Sequence, residues 1–293
     1  MELVILSGKG GTGKTTIGVA LAQLAQEVVG IDCDVDAANM YLYYQGEDIE
    51  KQKFYSGKKA VVHESQCTQC GQCQEVCHFG AIQQGKIDLF ACEGCGACTL
   101  VCPQKAIALV DEKAAQVFVT QLEKGMILSR AEMEIGSDGS GKLVTQLRTN
   151  GRKFSKNKKV IIVDGSPGIG CPVIASMTGS DAVLLVAEPT LSGLEDIKRV
   201  ITLCEHFQLL TLVCINKYDM NEEISRKIES FVHQKQLKIV GKIPYDETVM
   251  QSINELSPIV TYENSIAAKA IEDMWEKIKI KLGGMKNESS HCK

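Results

Sequence analysis

Several familiar signals are missing from this sequence of 293 residues. It contains no run of about 18 apolar residues, so a membrane-spanning helix is not expected. It has no excess of basic charge: 32 Lys and Arg stand against 36 Asp and Glu, a formal net charge of -4. That balance excludes a general nucleic-acid binder, and no specific nucleic-acid partner is expected. The first residues, "MELVILSG", form one short apolar stretch that runs directly into a glycine loop, without the anatomy of a secretory leader. What the chain has in abundance is cysteine, 13 in all. In an exported protein they would read as disulfides. With no export signal they read as metal ligands in a reducing, cytoplasmic setting.

Short apolar runs alternate with amphipathic ones, the pattern of βαβ units around a mostly parallel sheet flanked by helices. Strands are expected at Leu3–Leu6, Val28–Asp32, Val160–Asp164, Ala182–Ala187, Leu209–Ile215 and Ile239–Ile243. Leu194, Ile197, Val200, Ile201 and Cys204 recur at helical spacing, as do Ile266, Ala270, Ile271, Met274, Trp275 and Ile278. The second set marks a helix near the end of the chain that faces the core, since its polar side mixes Glu, Asp and Lys. A β-hairpin is expected within Val117–Ile135, turning near Gly125, and a helix at Lys142–Arg148.

Between the second and third of these strands the rhythm breaks. Cys67, Cys70, Cys73, Cys77, Ala81 and Ile82 recur 25 positions later as Cys92, Cys95, Cys98, Cys102, Ala106 and Ile107. Each half reads C-x2-C-x2-C-x3-C, the spacing of a cubane iron–sulfur site. Three close thiolates wrap one face of a cubane, and the fourth cysteine of each run ligates the other cluster. Two [4Fe–4S] clusters are therefore expected, one on Cys67, Cys70, Cys73 and Cys102, the other on Cys92, Cys95, Cys98 and Cys77. Zinc sites instead separate two close pairs, often with histidine. One departure stands out: Pro103 follows Cys102, but His78 follows Cys77, which leaves a free backbone N–H and an exposed imidazole there. Cys33, Cys204 and Cys214 read as structural, and Cys171 as a small buried residue at a helix start.

The glycine loop, "GKGGTG", also satisfies G-x-G-x-x-G, with Asp32 at the distance of a ribose-binding acid. Lys14 and Thr15 decide the reading, because they complete G-x-x-x-x-G-K-[ST]. Gly8, Lys9, Gly10, Gly11, Thr12 and Gly13 form the loop, while Lys14, Thr15 and Thr16 open the helix whose N–H groups meet phosphate. Lys14 neutralises β/γ charge and the Thr15 hydroxyl meets Mg²⁺. "VIIVDGSPG" ends a buried strand at Asp164, an acid placed to position Mg²⁺ through its water shell.

With its extra Lys9, "GKGGTGKTT" resembles the deviant P-loop of the MinD/ParA/Mrp and nitrogenase iron protein superfamily. "DCDVDAANM", "DGSPGIGCPVIAS", "EPTLSGLEDIKR", "NKYD" and "IPYDETV" resemble further blocks of that group. The chain as a whole is similar to MinD-superfamily ATPases that carry an inserted bacterial-type two-cluster ferredoxin domain. The resemblance implies a discontinuous P-loop ATPase domain over 1–54 and 113–293, with the ferredoxin over 55–112. It implies a catalytic set of Lys9, Lys14, Asp34 and Asp164. In that set Lys9 reaches the phosphates of the opposite subunit of an ATP-dependent homodimer, and Asp34 orients the attacking water and joins Thr15 and Asp164 around Mg²⁺. It places Asp164 and Gly168 in a second phosphate-sensing loop.

Asn216, Lys217 and Asp219 form N-K-x-D, which reads guanine in GTP-binding proteins. The relatives bind adenine around the same strand, with help from the loop bearing Pro244 and Asp246, so ATP is the favoured nucleotide. The activity implied is ATP hydrolysis linked to redox state or to docking of an unidentified protein. A positioning ATPase with structural clusters is the alternative. A cluster carrier of Mrp type fits less well, because such carriers often use a C-terminal C-x-x-C, where this chain has the lone Cys292.

Overall fold

The computed structural model describes residues 1–25, 27–156 and 160–289, so Cys292 lies outside the described residues. The chain folds as two compact units.

The larger unit comprises Met1–Lys51, Val117–Ala131 and the chain from Gly139 onward. Its central strands are β1 (Glu2–Ser7), β2 (Val28–Asp32), β8 (Val160–Pro167), β9 (Ala182–Ala187) and β10 (Leu210–Asn216). They read as unbroken apolar runs because helices cover both faces of a parallel sheet. β1 pairs in parallel with β8 and β9, and β10 pairs in parallel with β9 and β11 (Lys238–Ile243). The strand order is β11-β10-β9-β1-β8-β2-β7-β6-β3. The last three are β3 (Gly46–Val62), β6 (Ile107–Leu122) and β7 (Ile127–Met133). β6 and β7 form the expected hairpin, closed by the Leu122 N–H donating to the Met126 carbonyl at 2.8 Å.

The order places the ends of β1, β2 and β8 side by side, so the loops leaving them open onto one crevice. That is where open α/β sheets bind ligands. The first of these loops leads into α1 (Lys14–Ala25), the second into the turn Val35–Ala37, the third into α5 (Cys171–Met177). α4 (Gly141–Lys153) and α6 (Leu191–His206) are capped by the Ser140 and Thr190 side chains. α7 (Glu222–Gln234), α8 (Glu247–Asn254) and α9 (Ile266–Ser289) complete the cover. Ala267, Ile271, Met274, Trp275 and Ile278 of α9 join the core against Leu3, Ile17 and Leu21, so this helix faces inward.

The smaller unit comprises Gln52–Gln116 and Glu132–Asp138. It is wider than 55–112 and recruits a second segment of chain. Its sequence repeat is also a structural repeat. Gly71 (φ 82°) and Gly96 (φ 81°) precede two five-residue helices, α2 (Gln72–Val76) and α3 (Ala97–Val101). The left-handed backbone at both glycines lets a loop reverse sharply into a helix between cysteines. The short strands β4 (Ile82–Gln83) and β5 (Lys86–Ile87) pair in antiparallel fashion. The repeated Ala81, Ile82, Ala106 and Ile107 are all buried.

Candidate functional site

The glycine loop joins β1 to α1, and Lys14 is the first helical residue. Its ammonium lies 2.9 Å from Asp34 Oδ2 and 3.9 Å from Asp164 Oδ1, with the side chain almost wholly buried. Burial works against this charge, but the carboxylates of Asp164 and Asp34 outweigh it and raise the lysine pKa. The Thr15 hydroxyl donates to Asp164 Oδ2 at 2.5 Å. Burial raises the Asp164 pKa, against the opposing pull of Lys14 and Thr15. Asp164 Oδ1 is buried with no hydrogen-bond partner, as is the Thr12 hydroxyl.

Asp32 is fully buried and is held in place by N–H donation from Met40 and Asp34. Burial, reinforced by the Asp164 charge, raises its pKa well above the usual carboxylate range. It anchors the turn that presents Asp34 and does not reach the cleft. Two further bonds tie the second and third loops together: the Cys33 N–H donates to the Asp164 carbonyl at 2.8 Å, and the Ser166 hydroxyl donates to the Cys33 carbonyl at 2.7 Å. Gly168, at φ 91°, donates its N–H to the Ser7 carbonyl at 2.9 Å, which ties the third loop to the end of β1.

A cavity of about 580 Å³ extends from this loop. Its phosphate end is lined by Gly10, Gly11, Thr12, Gly13, Lys14, Thr15, Thr16, Asp34 and Ser166. Its far end is apolar, lined by Ile243, Val249, Ile253, Ala267 and Ile271. Gly8 packs against Asp196. Lys9 is turned along α6: its ammonium meets Thr190 Oγ1 at 3.0 Å, Ser192 Oγ at 3.3 Å and Glu188 Oε2 at 3.2 Å. Lys217 pairs with the other oxygen of Glu188 at 3.1 Å. Burial opposes the Glu188 charge, yet the bonds from Lys217 and Lys9 hold its pKa below the ordinary value.

Of the residues in the base-reading motif, Asn216 and Lys217 line the cavity. Asn216 accepts the Lys217 N–H at 3.1 Å. Its amide donates to the Thr12 carbonyl at 2.8 Å and thereby braces the P-loop. The left-handed Gly13 passes beneath it, where a Cβ would sit 2.5 Å from Asn216 Nδ2. Asp219, Pro244 and Asp246 are not brought to the cavity. Asp219 Oδ1 accepts the Tyr245 N–H at 2.7 Å. Asp246 caps α8 through the Thr248 N–H at 2.9 Å and accepts from the Ser265 hydroxyl at 2.6 Å and the Ala267 N–H at 3.1 Å. Those bonds outweigh its burial and lower its pKa to about 2. The apolar wall was partly legible: Ile243 and Val249 bound the block "IPYDETV", while Ile253, Ala267 and Ile271 lie outside it and form no motif.

In the smaller unit the eight cysteines fall into two sets around two voids. Cys67, Cys70, Cys73 and Cys102 line one, together with Val62 and Ile107. Cys77, Cys92, Cys95 and Cys98 line the other, together with Ala60, Ala81 and Ile82. Among the described residues no group of three or more His, Cys, Asp or Glu side chains is arranged to hold a metal ion. Backbone N–H groups point at three of the sulfurs: Gln69 at Cys67 (3.4 Å), Ala106 at Cys102 (3.3 Å) and Ala60 at Cys92 (3.5 Å).

Elsewhere Cys33, Cys204 and Cys214 are buried, and burial pushes the Cys214 thiol up to about 12. Cys171 is exposed at the start of α5, contrary to the burial expected from its apolar neighbours. The inward face of that helix belongs to Val173, Ser176 and Met177 instead.

Residues 3–259 match the family model described as the CobQ/CobB/MinD/ParA nucleotide binding domain. An uncharacterized protein of Methanocaldococcus jannaschii is 33% identical over 285 residues, which is 95% of this chain and 96% of that protein. The septum site-determining protein MinD of Pyrococcus horikoshii, solved in complex with Mg-ADP, has a TM-score of 0.58 at 19% identity, covering 97% of this chain and 98% of its own. The MinC:MinD cell division complex of Aquifex aeolicus has a TM-score of 0.57 at 21% identity, covering 94% and 95%.

Proposed function

Because the chain belongs to the CobQ/CobB/MinD/ParA nucleotide-binding family, we propose that it is an ATP-hydrolysing switch whose nucleotide state is linked to two [4Fe–4S] clusters in its smaller unit. The observation that carries the nucleotide half is the convergence of Lys14, Thr15, Asp34 and Asp164 at the mouth of a P-loop. The likeness of fold to a MinD solved with Mg-ADP supports the same ligand class. The apolar far wall suits a stacked purine, and Asp219, the acid of N-K-x-D, does not line the cavity, which favours adenine over guanine.

The polar groups fit a divalent cation. Thr15 and Asp164 stand together, and the unpartnered Asp164 Oδ1 is a buried acceptor at the phosphate end. Mg²⁺ bound by Thr15, with Asp164 and Asp34 behind its water shell, neutralises charge on the β- and γ-phosphates. The chain does the rest. Loop N–H groups cradle the phosphates, and Lys14 exchanges Asp34 for phosphate oxygens. The released Asp34 carboxylate is then placed to orient the attacking water. Lys9 leaves Glu188, Thr190 and Ser192 to reach across a homodimer formed on ATP. A protein partner docks on one nucleotide state; the MinD of Aquifex aeolicus, for its part, forms a complex with MinC.

The two voids fit cubane clusters rather than single ions. Each set supplies four thiols, three from one run and one from the other, around a space instead of a point. A cluster held by these thiols would supply one-electron chemistry, and the N–H groups aimed at Cys67, Cys92 and Cys102 would raise its potential. A second reading, a positioning ATPase with purely structural clusters, draws on the core of this unit. Cys92 and Cys98 are themselves buried core residues beside Ala60, Ile82 and Ile107, so the clusters would complete a small core.

Anaerobic purification with iron and sulfide analysis, together with Mg-ATP hydrolysis by the wild type and Lys14→Ala, tests the proposal. About eight irons per chain and hydrolysis that depends on Lys14 are expected. Stoichiometric zinc without sulfide contradicts the cluster half, and hydrolysis indifferent to Lys14 contradicts the other.

A further inference from the structure

The chain re-enters the larger unit directly beside the nucleotide site. Asp138 is the last residue of the smaller unit, and Gly139 is the next residue of the larger one. The Gly139 N–H donates to Asp36 Oδ1 at 2.9 Å. Asp36 lines the nucleotide cavity and sits on the turn Val35–Ala37, immediately after Asp34. That turn is closed by the Ala37 N–H donating to the Asp34 carbonyl at 2.9 Å, so Asp34 and Asp36 move as one piece.

The approach is too close for any side chain. A Cβ on Gly139 would lie 2.6 Å from Val35 Cγ2 and 2.9 Å from each carboxylate oxygen of Asp36. Two residues on, a Cβ on Gly141 would lie 3.2 Å from the carbonyl oxygen of Cys171, the first residue of α5. Between them Ser140 caps α4 by accepting the Leu143 N–H at 3.2 Å. Residues 139–141 are thus wedged between the turn that follows β2 and the start of α5, and both segments border the phosphate end of the cavity.

We infer that this three-residue loop is a relay that couples nucleotide occupancy to the segment Glu132–Asp138 of the smaller unit, through the Asp36–Gly139 hydrogen bond. The inference rests on the nucleotide-binding reading. Lys14 pins Asp34 and thereby fixes the turn that holds Gly139. Phosphates that take Lys14 away release the turn, weaken the bond to Gly139 and loosen the chain that leads back to Asp138. Linkage makes the effect mutual: a change in the smaller unit that favours the loosened segment raises affinity for the triphosphate by the same factor. The coupling needs no new site, only an insertion point beside two phosphate-sensing loops.

Hydrogen exchange on the full-length, anaerobically prepared protein tests the relay, with no nucleotide, with Mg-ADP and with the non-hydrolysable analogue Mg-AMPPNP. Affinity for each nucleotide is measured on the same samples. In the wild type, Mg-AMPPNP is expected to speed exchange in peptides covering 132–141 by at least about fivefold. Gly139→Ala, which pushes a Cβ against Val35, is expected to exchange fast in every state and, by the same linkage, to bind Mg-AMPPNP several-fold more tightly than wild type. Asp36→Ala is expected to do the same to exchange, whereas Asp36→Asn keeps an acceptor and most of the response. Val35→Ala combined with Gly139→Ala makes room for the added carbon and is expected to recover part of it. An unchanged response in Gly139→Ala and Asp36→Ala overturns the relay, as does an absent response in wild type with nucleotide bound. If Mg-AMPPNP does not bind the wild type at all, the affinity measurement shows it, and the functional reading falls together with the relay.

Discussion

Lys14 and Asp34 meet at 2.9 Å inside the P-loop, so the ammonium that phosphates need is already engaged by a carboxylate. A triphosphate must displace Asp34 to bind, and the displaced acid is left beside the γ-phosphate position. One ion pair therefore joins the P-loop to the turn after β2, and its opening is expected to free the group that acts on water.

The first prediction follows from that exchange. Asp34→Ala removes the internal competitor for Lys14, so ATP affinity is expected to hold or rise by a few-fold. Hydrolysis is expected to fall by about a hundredfold, the scale of a lost group that orients or activates water. Equilibrium binding and single-turnover hydrolysis measure the two arms, and a variant that hydrolyses at the wild-type rate removes Asp34 from the mechanism.

Base preference is the second prediction. Asn216 is bonded to the Thr12 carbonyl, while Asp219 accepts the Tyr245 N–H and does not line the cavity, so no acid of the motif faces the base. A guanine would leave polar groups unpaired against the wall of Ile243, Val249 and Ile253, at a cost of about 1–3 kcal/mol. ATP is thus expected to bind at least about tenfold more tightly than GTP in direct titration. The reverse order would return N-K-x-D to its guanine role.

The crossed cysteine sets give a third. Cys67→Ala and Cys102→Ala are expected to damage the same cluster, and Cys92→Ala and Cys77→Ala the other. Electron paramagnetic resonance of the reduced variants distinguishes the pairs. If Cys102→Ala instead perturbs the signal lost in Cys92→Ala, each run serves its own cluster and the crossing is wrong.

Asp246 supports a prediction about stability. It caps α8 and fastens the Ser265–Ala267 start of α9, with a pKa lowered to about 2. A carboxylate depressed in the folded state contributes stability above its unfolded pKa, and that contribution is lost as pH falls through the folded value. Asp246→Ala is expected to cost about 1–2 kcal/mol in urea unfolding near neutrality. The gap from wild type should narrow between about pH 4 and pH 2.

These residues also show how far the sequence could be read. β1, β2, β8, β9 and β10 were legible because burial on both faces demands continuous apolar runs. The division of the eight cysteines around two voids was legible from the repeated spacing, in which the fourth cysteine of each run joins the other set. β3, Gly46–Val62, was not legible: its residues are mostly exposed and heavily charged, so no burial pattern marks it. Asp219 and Asp246 show a different limit. Their partners lie up to 26 residues away, and a motif cannot say whether an acid faces a ligand or closes a loop. Lys9 resembles a residue that acts across a dimer, yet within one chain its nearest acceptors are Glu188, Thr190 and Ser192. Cys171 misled through its apolar neighbours, which point inward while it does not.

Nucleotide state and cluster redox state are expected to be linked. The most direct test is a potentiometric titration of the Asp34→Ala protein, without nucleotide, with Mg-ADP and with Mg-ATP. A tenfold coupling corresponds to about 1.4 kcal/mol, hence roughly 60 mV for a one-electron step. A shift of about that size in at least one cluster between the ADP and ATP states is the expected result. Superimposable titrations in all three states, with nucleotide bound, would contradict a redox-linked switch and leave the clusters as structural supports.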